Sequence, residues 1–173
     1  MQKILFRWIA GLAVGLFILY LLFTNFSEQP GIPPKSERKD VSEVRLRYFD
    51  GKGEWSLADH RGKVVLINYW ATWCPPCRYE MPTLVRISQT YKDKPFEIVG
   101  VTVDEDLSQI PSFVERYSIP YPILIKDLDP NVGAFLSLPT TFLYDKQGRL
   151  AKRYVGVVRE STLHADISTL LNE

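Results

Sequence analysis

The sequence has little cysteine, little histidine and no surplus of charge, and each shortage excludes something. Two cysteines in 173 residues are too few to staple a small secreted scaffold, which needs cross-links spread along the chain. A structural zinc site takes four ligands, yet beside the cysteines only His60 and His164 are on offer. Neither histidine stands in a ligand-spaced pair, so no metal site and no cofactor are expected. With 21 basic and 20 acidic residues the net charge is +1, which argues against a nucleic-acid partner. No internal repeat or biased tract is present. What remains is 46% apolar and 24% charged, the composition of one ordinary globular domain with a short appendage.

The appendage is N-terminal. Trp8 to Phe23 runs without a charge, and counting back to Ile4 brings the stretch to 20 residues, interrupted only by Arg7. Twenty helical residues reach about 30 Å, the thickness of a bilayer's hydrocarbon core. Arg7 lies one turn from the end, where its stem can carry the guanidinium to the headgroups. Lys3 and Arg7 are the only charges before Glu28. Positive charge before the span puts the N-terminus in the cytoplasm and the rest outside. A cleaved signal peptide is the competing reading, but Phe23 to Ser27 offers no Ala-x-Ala-like site. Residues 1–27 are therefore expected to be a cytoplasmic tip and transmembrane anchor. Residues 28–42, with Pro30, Pro33, Pro34 and the charged run Lys35 to Asp40, read as a linker unable to build a core. Setting Lys3 and Arg7 aside leaves 19 basic against 20 acidic residues, so the domain at 43–173 is close to neutral.

Within that domain the pattern predicts a strand over 44–48 and a hairpin return at 54–56, joined by an Asp50-Gly51 turn. Val64 to Tyr69 reads as a strand buried on both faces. A helix opens at Pro75-Pro76, because proline is accepted in the first turn, and runs to about Tyr91. Then come a strand over 96–103, a helix over 107–117, a strand over 122–125 and a helical turn over 131–136. Strands over 141–144 and 150–155 pair through a Gln147-Gly148 turn, and a helix over 161–171, capped by Ser161, closes the chain. Strands alternating with helices predict an α/β fold with a mixed central sheet and helices on both faces.

Trp73-Cys74-Pro75-Pro76-Cys77 carries the chemistry. Two thiols three positions apart at a helix start share one face, roughly 5–6 Å apart at Cβ, near the spacing a disulfide needs. The helix N-terminus presents about half a positive charge and free N–H donors, which stabilise a thiolate. Cys74, at the tip, is expected to be exposed and nucleophilic, and Cys77, one turn in, to be the covered resolving thiol. An inert structural disulfide is the bland alternative, but so short a loop contributes little chain entropy.

The segment Asn68-Tyr69-Trp70-Ala71-Thr72-Trp73-Cys74-Pro75-Pro76-Cys77 resembles the active site of thioredoxin-fold proteins, and within them the exported, membrane-anchored TlpA/ResA/DsbE type associated with cytochrome c maturation. The likeness runs from about Val44 to the C-terminus. It implies a thioredoxin-like fold with an N-terminal hairpin and an inserted helix and strand between Asp104 and Pro139. Leu138-Pro139-Thr140-Thr141 is similar to the family's cis-proline segment, which implies that Leu138 and Pro139 line a substrate groove. Gly156 resembles the glycine that lets a partner backbone approach. Asn68 replaces thioredoxin's buried aspartate and cannot exchange a proton, whereas Glu80 matches an acidic residue of the exported reductases that assists proton transfer. Trp73, with Pro75 and Pro76, flanks the nucleophile as a contact surface for substrate.

These readings make the protein a protein disulfide reductase outside the cytoplasmic membrane. Its expected partners are protein disulfides, a cysteine pair of apocytochrome c among them, and a membrane thiol–disulfide electron donor. An oxidase or copper-stress thiol protein uses the same chemistry in reverse, and a redox-inert tethered binding module is the reading from another class. A Thr-x-x-Cys peroxidase segment is missing. Protease added outside spheroplasts should digest the domain while untreated protein sediments with membranes. Recovery as free soluble protein would reject the anchor, and resistance to external protease would reject the orientation.

Overall fold

The computed structural model describes residues 31–41, 44–126 and 137–173. The expected anchor and the helical turn expected over 131–136 lie outside the described residues. Among the described residues no helix is long and apolar enough to cross a membrane.

The organising element is a run of seven buried residues, strand β4 (Val64–Trp70). No water reaches either side of it, so both its faces must be apolar, and β-branched residues suit the pleat. Around it the described strands form one mixed sheet: β1 (Lys39–Asp40), β2 (Arg45–Tyr48), β3 (Glu54–Ser56), β5 (Phe96–Thr102), β6 (Ile123–Ile125), β7 (Thr140–Tyr144) and β8 (Arg149–Val155). Their spatial order is β1-β8-β7-β4-β5-β6-β2-β3. β4, β5 and β6 are parallel neighbours, β7 and β8 are antiparallel additions, and the β2–β3 hairpin closes the far edge. The hairpin and the inserted α2–β6 unit stand as the sequence predicts.

Alternation along β4 decides the layers. Val64, Leu66 and Trp70 enter one apolar cluster, and Val65, Ile67 and Tyr69 the other. Helices α1 (Pro75–Thr90), α2 (Ile110–Tyr117) and α3 (Glu160–Leu171) all bury their apolar residues in the first cluster, through Met81, Leu84 and Ile87, then Ile110 and Phe113, then Leu163, Ile167 and Leu170. Helices on both faces are thus not what the described residues display. Two right-handed parallel crossovers stepping the same way, β4 to β5 and β5 to β6, put α1 and α2 on one face. The opposite face is covered by Leu46, Trp55 and Leu57. Gly100 of β5 is needed here, since a Cβ on it would meet Trp70 Nε1 at 2.8 Å.

Two local expectations are corrected. The charged stretch Lys35 to Asp40 does join the fold: Lys39 and Asp40 pair with Leu150 and Arg149 of β8. Arg38 is buried, donating to Asp145 at 3.0 Å and to both Glu173 carboxylate oxygens at 2.7 Å. A guanidinium can be taken out of water when its fork is filled by carboxylates. Ser161 is not the cap of α3, which begins at Glu160 with Arg159 in the cap position and no side-chain capping bond. Glu160 there forms an ion pair with Arg86 of α1 at 2.7 Å.

Candidate active site

β4 ends at Trp70 and α1 begins at Pro75, so residues 71–74 are the turn that presents the thiols. That turn is held from two sides. Asp104, just past β5, accepts from Thr72 N at 2.9 Å and Thr72 Oγ1 at 2.7 Å, and from Thr102 Oγ1 at 2.6 Å. Arg78 Nε donates to Thr72 O at 2.8 Å.

Cys74 and Cys77 form a disulfide with Cα atoms 5.3 Å apart. Cys74 is the N-cap of α1, and its Sγ accepts from Cys77 N at 3.3 Å. A sulfur in the cap position lies where free N–H groups and the helix dipole favour negative charge. Pro75 and Pro76 occupy the first two helical positions, both exposed, where a missing N–H costs nothing. The expected exposure of Cys74 is not found in this oxidised form. Only 3% of it is accessible, because bonding to the fully buried Cys77 folds it into the apolar cluster under α1. Trp73 is the exposed residue at the tip, 65% accessible, beside a cavity of about 400 Å³ lined by Val103, Glu105, Gln109 and Lys126.

One turn beyond Cys77, Glu80 shares the inward face of α1 and is 1% accessible. It is no solvated helix glutamate. Its Oε1 accepts from Val158 N at 2.9 Å and its Oε2 from Asn68 Nδ2 at 3.2 Å. Burial pushes its carboxyl up to about 7, against the downward pull of those two hydrogen bonds.

The remaining predicted residues gather at the ends of β7 and β8. The Leu138–Pro139 bond is cis. Pro139 is buried, Leu138 is half-buried and packs against both clusters. Gly156 sits at φ +83° with open space where a Cβ would stand, and its N–H donates to Pro139 O at 2.9 Å. It is flanked by the exposed side chains of Val155 and Val157. Cys74, Cys77 and Glu80 are therefore held by one helix, and Pro139 and Gly156 by one main-chain bond. Glu80, bonded to Val158, connects the two groups.

The redoxin family model matches residues 40–171. The thiol-disulfide oxidoreductase ResA of Geobacillus kaustophilus is 31% identical over 98% of this chain and 97% of its own length. The thioredoxin-like protein YneN of Bacillus subtilis is 32% identical over 91% and 94%. Among solved structures, a DsbF homologue from Corynebacterium diphtheriae is 32% identical, with a TM-score of 0.70 over 83% of this chain and 97% of that one. The chain belongs to the redoxin family. Within it, the likeness is to thiol-disulfide oxidoreductases of the ResA and DsbE type, and the protein is a thiol-disulfide oxidoreductase working through Cys74–Cys77.

In such a redoxin the exchange is a pair of displacements. The Cys74 thiolate attacks a partner disulfide and expels one partner thiolate. Cys77 then attacks Cys74 Sγ, expelling the second, so two protein thiols are oxidised as one disulfide is reduced. A carboxyl near neutrality, one turn from Cys77, has the proton affinity to take up the Cys77 proton or return it. Sequence reasoning missed Thr72, Arg78 and Asp104 as supports of the turn, and Thr141 and Val158 as supports of Glu80. A threonine-rich strand end running into Asp104 was the available signal for the first group. A main-chain N–H at Val158 leaves none.

The Glu80 carboxyl titrates higher when folded than its ordinary 4.5, so folding favours its protonated form. Its stabilising contribution is complete below about pH 4.5 and is lost as pH rises through about 7. Urea unfolding of the oxidised protein should show wild type losing about 3 kcal/mol relative to Glu80→Gln across that window. A difference that stays constant with pH would place the carboxylate in water.

Proposed function

We propose that the protein is an extracytoplasmic disulfide reductase, tethered to the cytoplasmic membrane by residues 1–27, that passes electrons from a membrane thiol donor to disulfides of other proteins. The cysteine pair of an apocytochrome c is the substrate that the ResA likeness suggests. The observation that carries the reading is the buried Glu80 carboxylate, bonded to Asn68 and Val158 one turn below Cys77. A reductase must deprotonate its covered resolving thiol at every turnover, and a base with a midpoint near neutrality suits that task. Outside the membrane the surroundings are oxidising, so a dithiol stays reduced only beside a dedicated donor. A tether raises the effective concentration of the domain at such a donor. Exposed Trp73, Val155 and Val157, with Leu138, Pro139 and Gly156, supply an apolar surface for the partner chain around the thiols.

The reduction potential tests the direction. Equilibration of the chain with glutathione or dithiothreitol buffers should give a value nearer about −270 mV than about −120 mV. A value above about −160 mV would overturn the reductase and make the protein an oxidase.

A further inference from the structure

Asn68 lies on β4 with its side chain on the α1 face, directly opposite Thr141 in the β4–β7 register. Its Nδ2 donates twice, to Glu80 Oε2 at 3.2 Å and to Thr141 Oγ1 at 2.9 Å. Its Oδ1 is buried and has no hydrogen-bond partner among the described residues. An amide whose nitrogen is fully used while its oxygen stands idle, beside a buried carboxylate, suits only one charge state of that carboxylate.

We propose that Asn68 is a positioning residue that reads the charge of Glu80: its amide turns Nδ2 to the carboxylate and Oδ1 to the carboxylic acid, so that the proton is held on Oε2. The inference rests on the role given to Glu80 above. Oε1 faces the main-chain N–H of Val158, which can only donate, so the proton does not settle there. Oε2 faces a group that can rotate. With Glu80 neutral, its O–H donates to Asn68 Oδ1, and the Thr141 hydroxyl turns from acceptor to second donor. The idle oxygen of the ionised arrangement is then the acceptor of the neutral one. Turning the amide leaves Nδ2 where Oδ1 stood, without Glu80 or Thr141 to receive it. The ionised arrangement is thereby favoured, which opposes the upward push of burial.

The groups facing Glu80 make Asn68 the one able to respond. On α1 they are Cys74 and Cys77, while Arg78 and Arg86 turn away to Thr72 O and Glu160. From the approach to β6 comes the Tyr121 phenol, kept neutral by burial and by the Glu80 charge. β4, β7 and the Val158 segment contribute Asn68, Thr141 and an N–H, all uncharged.

The test is NMR on the oxidised chain, with the Glu80 side-chain carboxyl labelled with ¹³C and the Asn68 amide with ¹⁵N. In wild type the Asn68 amide resonances should shift with the same midpoint as Glu80. In Asn68→Leu the Glu80 ionisation constant should fall about tenfold, moving its midpoint about one pH unit upward. Thr141→Val, which keeps the amide but frees its orientation, should move it in the same direction by less. Asn68 resonances that ignore the Glu80 titration, or an unmoved midpoint in a folded Asn68→Leu, would overturn the proposal and leave Asn68 a packing residue. The wild-type measurement decides the matter if the leucine variant does not fold. All readouts are on resting oxidised protein, so loss of disulfide exchange with substrates would refute the function without touching them.

Discussion

A carboxylate kept out of water is the constraint around which this site is built. Glu80 loses its hydration one helical turn below the disulfide, and a buried charge is tolerated only when its oxygens find donors. The donors come from a strand, through Asn68, and from the loop after β8, through Val158. The carboxylate therefore bridges the helix that carries the thiols and the loop that follows Gly156. Because Gly156 in turn donates to Pro139 O, the proton-handling group and the peptide-facing edge are mechanically one assembly. A protonation change at Glu80 is felt on both sides of it.

The thiol pair depends on a second, independent support. Cys74 is placed by the turn that Asp104 and Arg78 hold through Thr72, and the helix cap then supplies its electrostatics. Closing the disulfide draws Cys74 under cover, so exposure belongs to Trp73 in the oxidised form. The nucleophile is met by partners only once the pair is reduced or under attack, which fits exchange chemistry better than a standing reactive thiol.

Much of this was legible in the sequence where the cause is local. A β-branched run followed by Pro-Pro within a few residues predicts strand, turn and helix, and helical spacing alone puts Glu80 on the face of Cys77. The likeness to a known active-site segment then assigned roles that spacing could not. What stayed hidden is carried by contacts between distant residues. Arg38 reads as solvated because its neighbours are charged, yet its partners Asp145 and Glu173 lie 107 and 135 positions away. Thr141 meets Asn68 only through strand register, and Val158 acts through a main-chain N–H that any residue would supply. Placing every described helix on one face required knowing the direction in which the parallel strands step.

The central claim is that Glu80 and the thiols exchange protons as one coupled system. Alkylation of the reduced protein as a function of pH, resolved by mass spectrometry into Cys74 and Cys77 and compared with Glu80→Gln, tests it most directly. The account predicts that Cys74 is modified ahead of Cys77. It also predicts thiolate formation at lower pH in the variant, because the carboxylate's like charge no longer opposes it. Profiles that superimpose in wild type and Glu80→Gln would contradict it.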